Sequence, residues 1–151
     1  AAPLPLQEPD RFGVANGAIR VTDNTSYFAV APDVYFAGSM TVSAWVKVYT
    51  CRIWARWFDF GPGAQADDVY FALSNRAGLS CGCPQFGVFT NGTHQRVSTN
   101  VALRVGVWEY VAATVTNTSL YLYVNGVLVG QTPLNLVSAG PPNGNLYADA
   151  A

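Results

Sequence analysis

Charged side chains are scarce in this chain of 151 residues. They make up 11% of the positions, whereas an ordinary soluble domain has about 25%. Eight basic and nine acidic residues almost cancel, which disfavours a nucleic-acid-binding module or a polybasic membrane-binding segment. Uninterrupted apolar runs of about 18 residues are also missing, so the sequence predicts no transmembrane helix. The length fits a single domain.

The chain also has few residues for catalysis. Glu8 and Glu109 are its two glutamates, and no pair of acids alternates along one predicted strand, although a retaining glycosidase needs two carboxylates about 5 Å apart. The single histidine, His94, has no Gly-x-Ser-x-Gly motif to accompany it. We therefore expect a protein that is not an enzyme and that requires no cofactor.

The chain has three cysteines, which is a small and odd number. Cys51, Cys81 and Cys83 do not have the two-pair spacing of a zinc site. In an oxidising compartment we expect Cys51 to pair with Cys81 or Cys83, which leaves one thiol over. Three reduced and buried thiols are the alternative.

Three sequons for N-glycosylation are present, at Asn24, Asn91 and Asn117. Each lies in or beside a polar patch between β-type runs, where a glycan can leave the surface. The same residues also serve as ordinary turn formers. Glycans would solvate a surface that has few charges, so the sequons favour a secreted glycoprotein.

The hydrophobic pattern predicts an all-β fold. Aromatic and β-branched residues alternate between Gly, Pro, Asn and Asp, and almost no stretch has helical spacing. Short strands at regular spacing are typical of a two-sheet sandwich. The predicted strands are 18–21, 27–30, 40–49, 53–60, 69–74, 86–90, 95–98, 108–116, 119–125 and 127–131.

Two segments are especially informative. Alternation over 41–48 places Val42, Ala44 and Val46 on one face and Trp45 on the other. Asn125-Gly126 has the sequence of a type I′ turn between two apolar runs, which predicts a hairpin. Residues 1–10 contain three prolines and are predicted to be an extended arm, followed by a sandwich domain over residues 11–151.

Several blocks of the sequence resemble a known family. They are SMTVSAWVK at 39–47, RWFDFGPG at 56–63, GVWEYVA at 106–112 and LYLYVNGVLVG at 120–130. Together they are similar to the laminin-G-like domains of the concanavalin A-like lectin/glucanase superfamily. The resemblance implies an antiparallel jelly-roll sandwich in an extracellular module that binds glycans or proteins, sometimes with calcium.

The resemblance also implies that the C-terminal strand is lacking. Family members continue into a final strand after the stretch that corresponds to residues 146–150, and that strand lies beside the N-terminal strand. An empty slot would expose unpaired backbone groups. Either the chain is a fragment, or a strand from another subunit fills the slot, with residues 4–8 as the candidate donor. Head-to-tail donation would build a filament.

The candidate site residues fall into two further groups. Asp67 and Asp68 offer hard oxygen ligands for calcium, although loop acids are usually just solvated. The candidate aromatics for stacking on a ligand or a neighbouring subunit are Trp45, Trp54, Trp57 and Tyr110; burial of all four tryptophans is the alternative.

Two functions follow as hypotheses. The leading one is a secreted, glycosylated adhesion or structural module in an extracellular assembly or filament, with copies of itself or other extracellular proteins as partners. The alternative is a carbohydrate-binding lectin domain, with calcium as a possible cofactor.

Overall fold

The computed structural model describes residues 6–22, 27–29, 39–61, 68–75, 82–90, 92–135 and 146–149. These residues form twelve strands and no helix. The strands are β1 (Leu6–Glu8), β2 (Ala18–Arg20), β3 (Tyr27–Ala29), β4 (Met40–Lys47), β5 (Arg56–Phe60), β6 (Asp68–Ala72), β7 (Gln85–Thr90), β8 (Thr93–Ser98), β9 (Trp108–Val115), β10 (Ser119–Val124), β11 (Val127–Pro133) and β12 (Leu146–Asp149). Nothing in the described part of the chain is a helix able to cross a membrane.

The strands form two antiparallel sheets and a separate hairpin. One sheet has four strands in the order β11-β10-β9-β4, the other has six in the order β3-β12-β5-β6-β7-β8, and β1 pairs with β2. This arrangement confirms the predicted all-β sandwich. It also fills the slot beside β3, because β12 pairs with β3 on one side and with β5 on the other. The gap that we expected next to the N-terminal strand is not confirmed in the described part of the chain.

The hydrophobic core lies between the two sheets. Alternate residues of every central strand point inward, as period-2 geometry requires. Phe58, Phe71 and Phe86 of the larger sheet have neighbouring rings 6.0–6.2 Å apart. The smaller sheet contributes Val111, Ala113, Val115, Leu120, Leu122 and Val124 to the same cluster. The residues between these core positions therefore form the two outer faces of the sandwich.

Both informative segments fold as predicted. Val42 and Val46 pack against the core, while Thr41, Ser43 and Trp45 are exposed. Asn125 and Gly126 have φ angles of 51° and 80°, and the turn joins Val124 to Val127. Local pattern is sufficient to predict these segments because side-chain alternation and turn chemistry are set by residues that neighbour one another in the sequence.

One local prediction was wrong. The strand predicted over 53–60 begins only at Arg56, because Trp54 has a φ of 64° and turns the chain. Residues 6–8 of the predicted extended arm form a short strand that pairs with Ala18–Arg20, outside the two sheets of the sandwich. A strand of three residues between prolines has too little periodic pattern to be recognised.

Candidate functional site

The β1–β2 hairpin is attached to the sandwich through one carboxylate. Arg20 Nη1 lies 2.8 Å from Glu8 Oε1, and the Tyr49 hydroxyl donates a hydrogen bond to Glu8 Oε2. The bonds from Tyr49 and Arg20 hold the pKa of Glu8 below its ordinary value. The Arg20 guanidinium also lies 4.0 Å from the centre of the Tyr49 ring. The hairpin thus covers the end of β4 that leads to Tyr49.

A cavity of about 520 Å³ lies between this hairpin and the edge of β4. Its wall includes Trp45, on the outer face of β4, and Val46, which packs against the core. Because these two residues point to opposite faces of β4, the cavity runs along the edge of this strand. Trp57 and Trp108 add further aromatic walls. We call this cavity the hairpin cleft.

Trp45 and Tyr110 form an aromatic pair beside the hairpin cleft. They are opposite each other on β4 and β9, and their ring centroids are 5.6 Å apart. The Trp45 side chain is 43% exposed. Two of the four predicted aromatics are therefore together on one accessible surface, and Trp57 joins them as a wall of the cleft.

The hairpin cleft contains four of the eight basic residues of the chain, namely Arg11, Arg20, Lys47 and Arg56. Arg20 pairs with Glu8, and Arg56 pairs with acids of the larger sheet. The Arg11 guanidinium lies 3.8 Å from the Phe12 ring centre and 4.3 Å from the Trp45 ring centre. No carboxylate of the described residues forms an ion pair with Arg11 or Lys47. Their charges are therefore available to a ligand.

The two carboxylates that line the hairpin cleft both have internal partners. Glu8 is bound by Arg20 and Tyr49, as described above. Asp10 Oδ1 accepts hydrogen bonds from the backbone N–H groups of Phe12 and Val14, at 2.8 and 2.9 Å. These bonds close the turn that presents Arg11. Both acids thus hold parts of the cleft wall in place through these bonds.

The outer face of the six-stranded sheet has a different character. Tyr70 is 3% exposed, and its hydroxyl lies 2.8 Å from Gln85 Nε2 and 2.7 Å from His94 Nε2. Asn75 Nδ2 donates to Gln85 Oε1 and to Ser98 Oγ, each at 3.1 Å. Burial raises the pKa of Tyr70 to about 12. These groups form a hydrogen-bonded network, which we call the Tyr70 network.

An ion-pair cluster lies next to the Tyr70 network. Arg56 Nη1 is 2.7 Å from Asp59 Oδ2 and 3.2 Å from Asp68 Oδ2, and its guanidinium stacks 4.3 Å from the centre of the Tyr70 ring. Asp68 is 1% exposed. Asp67 lies outside the described residues, and the described part of the chain has no group of three His, Cys, Asp or Glu suited to a metal. The calcium site stays a prediction.

Trp54 and Trp57 occupy different surroundings from Trp45. Trp54 is 45% exposed, and its ring lies edge-on to Tyr70 at 6.5 Å. The ring of Trp57 is half-buried and packs edge-on against Phe58 and Phe71, at 5.2 and 5.4 Å. The four predicted aromatics therefore separate into an accessible pair, an exposed ring beside Tyr70 and a ring at the core boundary.

Only some of the predicted modification sites lie within the described residues. Asn117 is exposed in the turn between β9 and β10, where Thr116 Oγ1 accepts a hydrogen bond from the Ser119 N–H at 3.0 Å. Asn24, Asn91 and Cys81 lie outside the described residues. Cys83 is a buried free thiol, so Cys81 is the partner that we expect for Cys51.

Sequence reasoning missed the basic part of the site. The contact between Arg11 and Trp45 joins residues 34 positions apart, and Lys47 becomes part of a cavity only when the hairpin docks. One signal was present: Asp10 precedes Phe12-Gly13, which is turn chemistry that can present the intervening arginine.

Comparison with known proteins agrees with this architecture. A laminin-G-type family model, described as the concanavalin A-like lectin/glucanases superfamily, matches residues 22–148. The chain therefore belongs to this superfamily. No curated protein sequence matches it.

Two solved structures share the fold. Domain 4 of the extracellular GH43 arabinanase AbnA from Geobacillus stearothermophilus, in complex with arabinotriose, has a TM-score of 0.70 and 16% identity over 97% of this chain. Domains LG4-5 of the mouse laminin alpha1 chain have a TM-score of 0.55 and 15% identity over 85% of this chain. The chain spans 66% of the arabinanase structure and 32% of the laminin structure. At these identities, the likeness shows the fold alone.

Proposed function

We propose that this chain is a carbohydrate-binding module that holds an acidic glycan in the hairpin cleft. The observation that carries the proposal is the position of Arg11, whose guanidinium lies between the Phe12 and Trp45 rings beside the cleft. Ring stacking orients the guanidinium and leaves its N–H edge for a carboxylate or sulfate.

Trp45 supplies the apolar half of the site. A pyranose or furanose ring has a C–H face that packs on an aromatic ring, and the exposed part of Trp45 offers such a surface. Lys47 adds a second positive charge on the same strand, with its Nζ 5.2 Å from the Tyr49 ring centre. The combination matches a sugar that carries a negative group.

The fold supports this reading of the site. The arabinanase domain of similar fold was solved with a bound oligosaccharide, so a sandwich of this shape can hold a saccharide. We propose binding without hydrolysis, because Glu8 and Asp10 are both engaged in internal hydrogen bonds.

The proposal differs from our leading sequence-based hypothesis of a filament. Donation of residues 4–8 to another subunit would require separation of the β1–β2 pairing and loss of the Glu8 contacts. Adhesion through a bound glycan needs no such rearrangement. The carbohydrate-binding alternative is therefore the function that the geometry supports best.

Trp45→Ala and Trp54→Ala provide a matched test. The two rings are almost equally exposed, but Trp45 lies on the outer face of the four-stranded sheet, whereas Trp54 contacts Tyr70 of the six-stranded sheet. Binding to polygalacturonate, dextran sulfate and neutral arabinan is measured by affinity electrophoresis. We expect Trp45→Ala to lose at least about tenfold in affinity and Trp54→Ala to bind like the wild type. The proposal is wrong if Trp45→Ala binds normally.

A second pair of variants tests the acidic character of the ligand. Arg11→Gln and Lys47→Gln are expected to weaken binding to polygalacturonate or dextran sulfate and to reduce its dependence on salt. Preference for polygalacturonate identifies a carboxylate ligand, and preference for dextran sulfate identifies a sulfate. Unchanged affinity of both variants for the acidic polymers, or wild-type binding of neutral arabinan as tight as that of polygalacturonate and dextran sulfate, would contradict the acidic assignment.

We further infer that the module is extracellular, with a glycan on Asn117 and a disulfide between Cys51 and Cys81. The exposed position of Asn117 and the free thiol of Cys83 support this inference. Mass spectrometry of the protein from a eukaryotic secretion host, before and after deglycosylation and without reduction, tests both modifications. An unmodified Asn117 or a cross-linked Cys83 would contradict it.

A further inference from the structure

Four aromatic rings follow one another across the outer face of the four-stranded sheet. Trp45 on β4 is opposite Tyr110 on β9, while Tyr123 and Tyr121 on β10 are opposite Ala112 and Thr114 of β9. Their sequence neighbours Val111, Leu120, Leu122 and Val124 point into the core. The rings therefore share the outer face. We call Trp45, Tyr110, Tyr123 and Tyr121 the aromatic track.

The aromatic track begins at the hairpin cleft and runs diagonally away from it. Neighbouring strands are about 4.8 Å apart and residues advance about 3.4 Å along a strand, so the track is about 17 Å long. This length is several times the width of one sugar ring. A single sugar in the cleft would leave Tyr121 and Tyr123 without contact.

The residues around the aromatic track suit a saccharide. Thr41, Ser43, Thr114 and Gln131 present hydroxyl and amide groups on the same face, and the Thr41 and Thr114 hydroxyls lie 2.8 Å apart. Leu128, opposite Tyr123, is an aliphatic exception at the far edge. A protein interface centre is typically richer in apolar side chains. Rings interspersed with hydroxyls match the alternating C–H faces and hydroxyls of a sugar chain.

We propose that the ligand is an internal segment of a polymeric acidic glycan, which lies along the aromatic track from the hairpin cleft to Tyr121. This inference rests on the proposed function, because the cleft supplies the first contact. It adds that the module recognises the length of the chain and not only one acidic sugar. Each ring that a longer chain reaches adds about 2- to 10-fold in affinity.

Graded oligogalacturonides test the inference. Affinities for the di-, tetra- and hexasaccharide are measured by isothermal titration calorimetry on the wild type and on a Tyr121→Thr/Tyr123→Thr double variant. Threonine keeps the strand propensity, and unfolding curves confirm that the variant folds. We expect wild-type affinity to rise by about tenfold or more from di- to hexasaccharide, and the double variant to bind the disaccharide normally without that rise.

Tyr27→Ala serves as a control, since Tyr27 is an exposed tyrosine on the other sheet. Its affinities should equal those of the wild type at every length. Length-independent binding by the wild type, or an unchanged rise in the double variant, would overturn the inference. So would sedimentation showing a dimer that the double variant dissociates, because a second copy would then cover the track. If Trp45→Ala binds all lengths normally, the proposed function itself fails, which is a separate result.

Discussion

The two outer faces of the sandwich differ in what their polar groups contact. On the six-stranded sheet, Arg56 binds Asp59 and Asp68, and the Tyr70 network links Asn75 to His94. On the outer face of the four-stranded sheet, the main hydrogen bond between side chains of neighbouring strands joins the hydroxyls of Thr41 and Thr114. The first face bonds many of its polar groups to one another, and the second leaves rings and hydroxyls to solvent or a ligand.

This difference shows why residue type alone is a poor guide to a site. Tyr, His, Arg, Asp and Gln on the six-stranded sheet are the side chains that many ligand sites use. Here they bind each other, and Asp68, Tyr70 and Gln85 are buried. A ligand would have to compete with these bonds, whereas on the other face it would replace water only. We therefore assign the first face to stability and the second to binding.

The largest expected effect comes from Arg56→Met. This change leaves the carboxylates of Asp59 and Asp68 in a site where their side chains are 13% and 2% exposed. Removal of one partner from a buried ion pair costs about 3–5 kcal/mol, and we expect the free energy of unfolding in urea to fall by that amount. Arg20→Met, which breaks a more exposed pair with side chains 37% and 25% exposed, is the control and should change stability far less. Similar losses in both variants would contradict the assignment.

A smaller loss is expected from Gly87→Ala. Gly87 is opposite Tyr70, and an added Cβ would lie 2.7 Å from Cε1, Cζ and Oη of that ring. Overpacking of this kind costs about 1–3 kcal/mol. In a Tyr70→Ala background the same change should cost much less, so a double-mutant cycle from thermal unfolding isolates the contact. Additive losses would show that Gly87 is required for another reason.

The pH dependence of the free energy of unfolding is a further test of the Tyr70 network, with a smaller expected effect than Gly87→Ala. Burial, followed by the charges of Arg96 and Arg56, lowers the pKa of His94 below its usual 6.5. The folded state therefore favours neutral histidine, and the unfolded chain takes up the proton first as the pH falls. We expect stability to be highest above pH 6.5 and to decline below it. His94→Gln should flatten this decline, and an NMR titration that placed the pKa of His94 above 6.5 would contradict it.

The sequence predicted the fold better than the site, for a physical reason. Alternation around Trp45 and the Asn125-Gly126 turn depend on neighbouring residues, and both were correct. The turn at Trp54 was missed because a positive φ is rare in bulky residues. Two backbone bonds hold this turn against β6: Trp54 N–H to Ser74 O and Leu73 N–H to Ala55 O, each 2.8 Å. Such contacts leave no local periodic signal.

The sequence predicted the aromatic residues of the candidate site but not its basic residues. An excess of rings identified Trp45 and Tyr110, because a small sandwich core cannot take them all. The basic residues of the site come together only in the docked hairpin, in which Glu8 accepts a hydrogen bond from Tyr49, 41 positions away in the sequence. Single-sequence patterns carry no information about such a pairing. The aromatic track likewise requires the β4-β9-β10 register, which follows from neither strand alone.

The smallest expected effect on stability is that of Tyr123→Thr. The ring lies on the open face and takes no part in the core cluster, and threonine retains strand propensity. Substitutions of this kind usually change the free energy of unfolding by about 0.5 kcal/mol or less, which urea unfolding would measure. The same variant should lose affinity for oligogalacturonides longer than the disaccharide. A stability loss as large as that of Gly87→Ala would mean that Tyr123 is structural, and the contrast between the two faces would fail at this residue. Normal stability with weakened binding would place the ring's contribution in the complex and not in the fold.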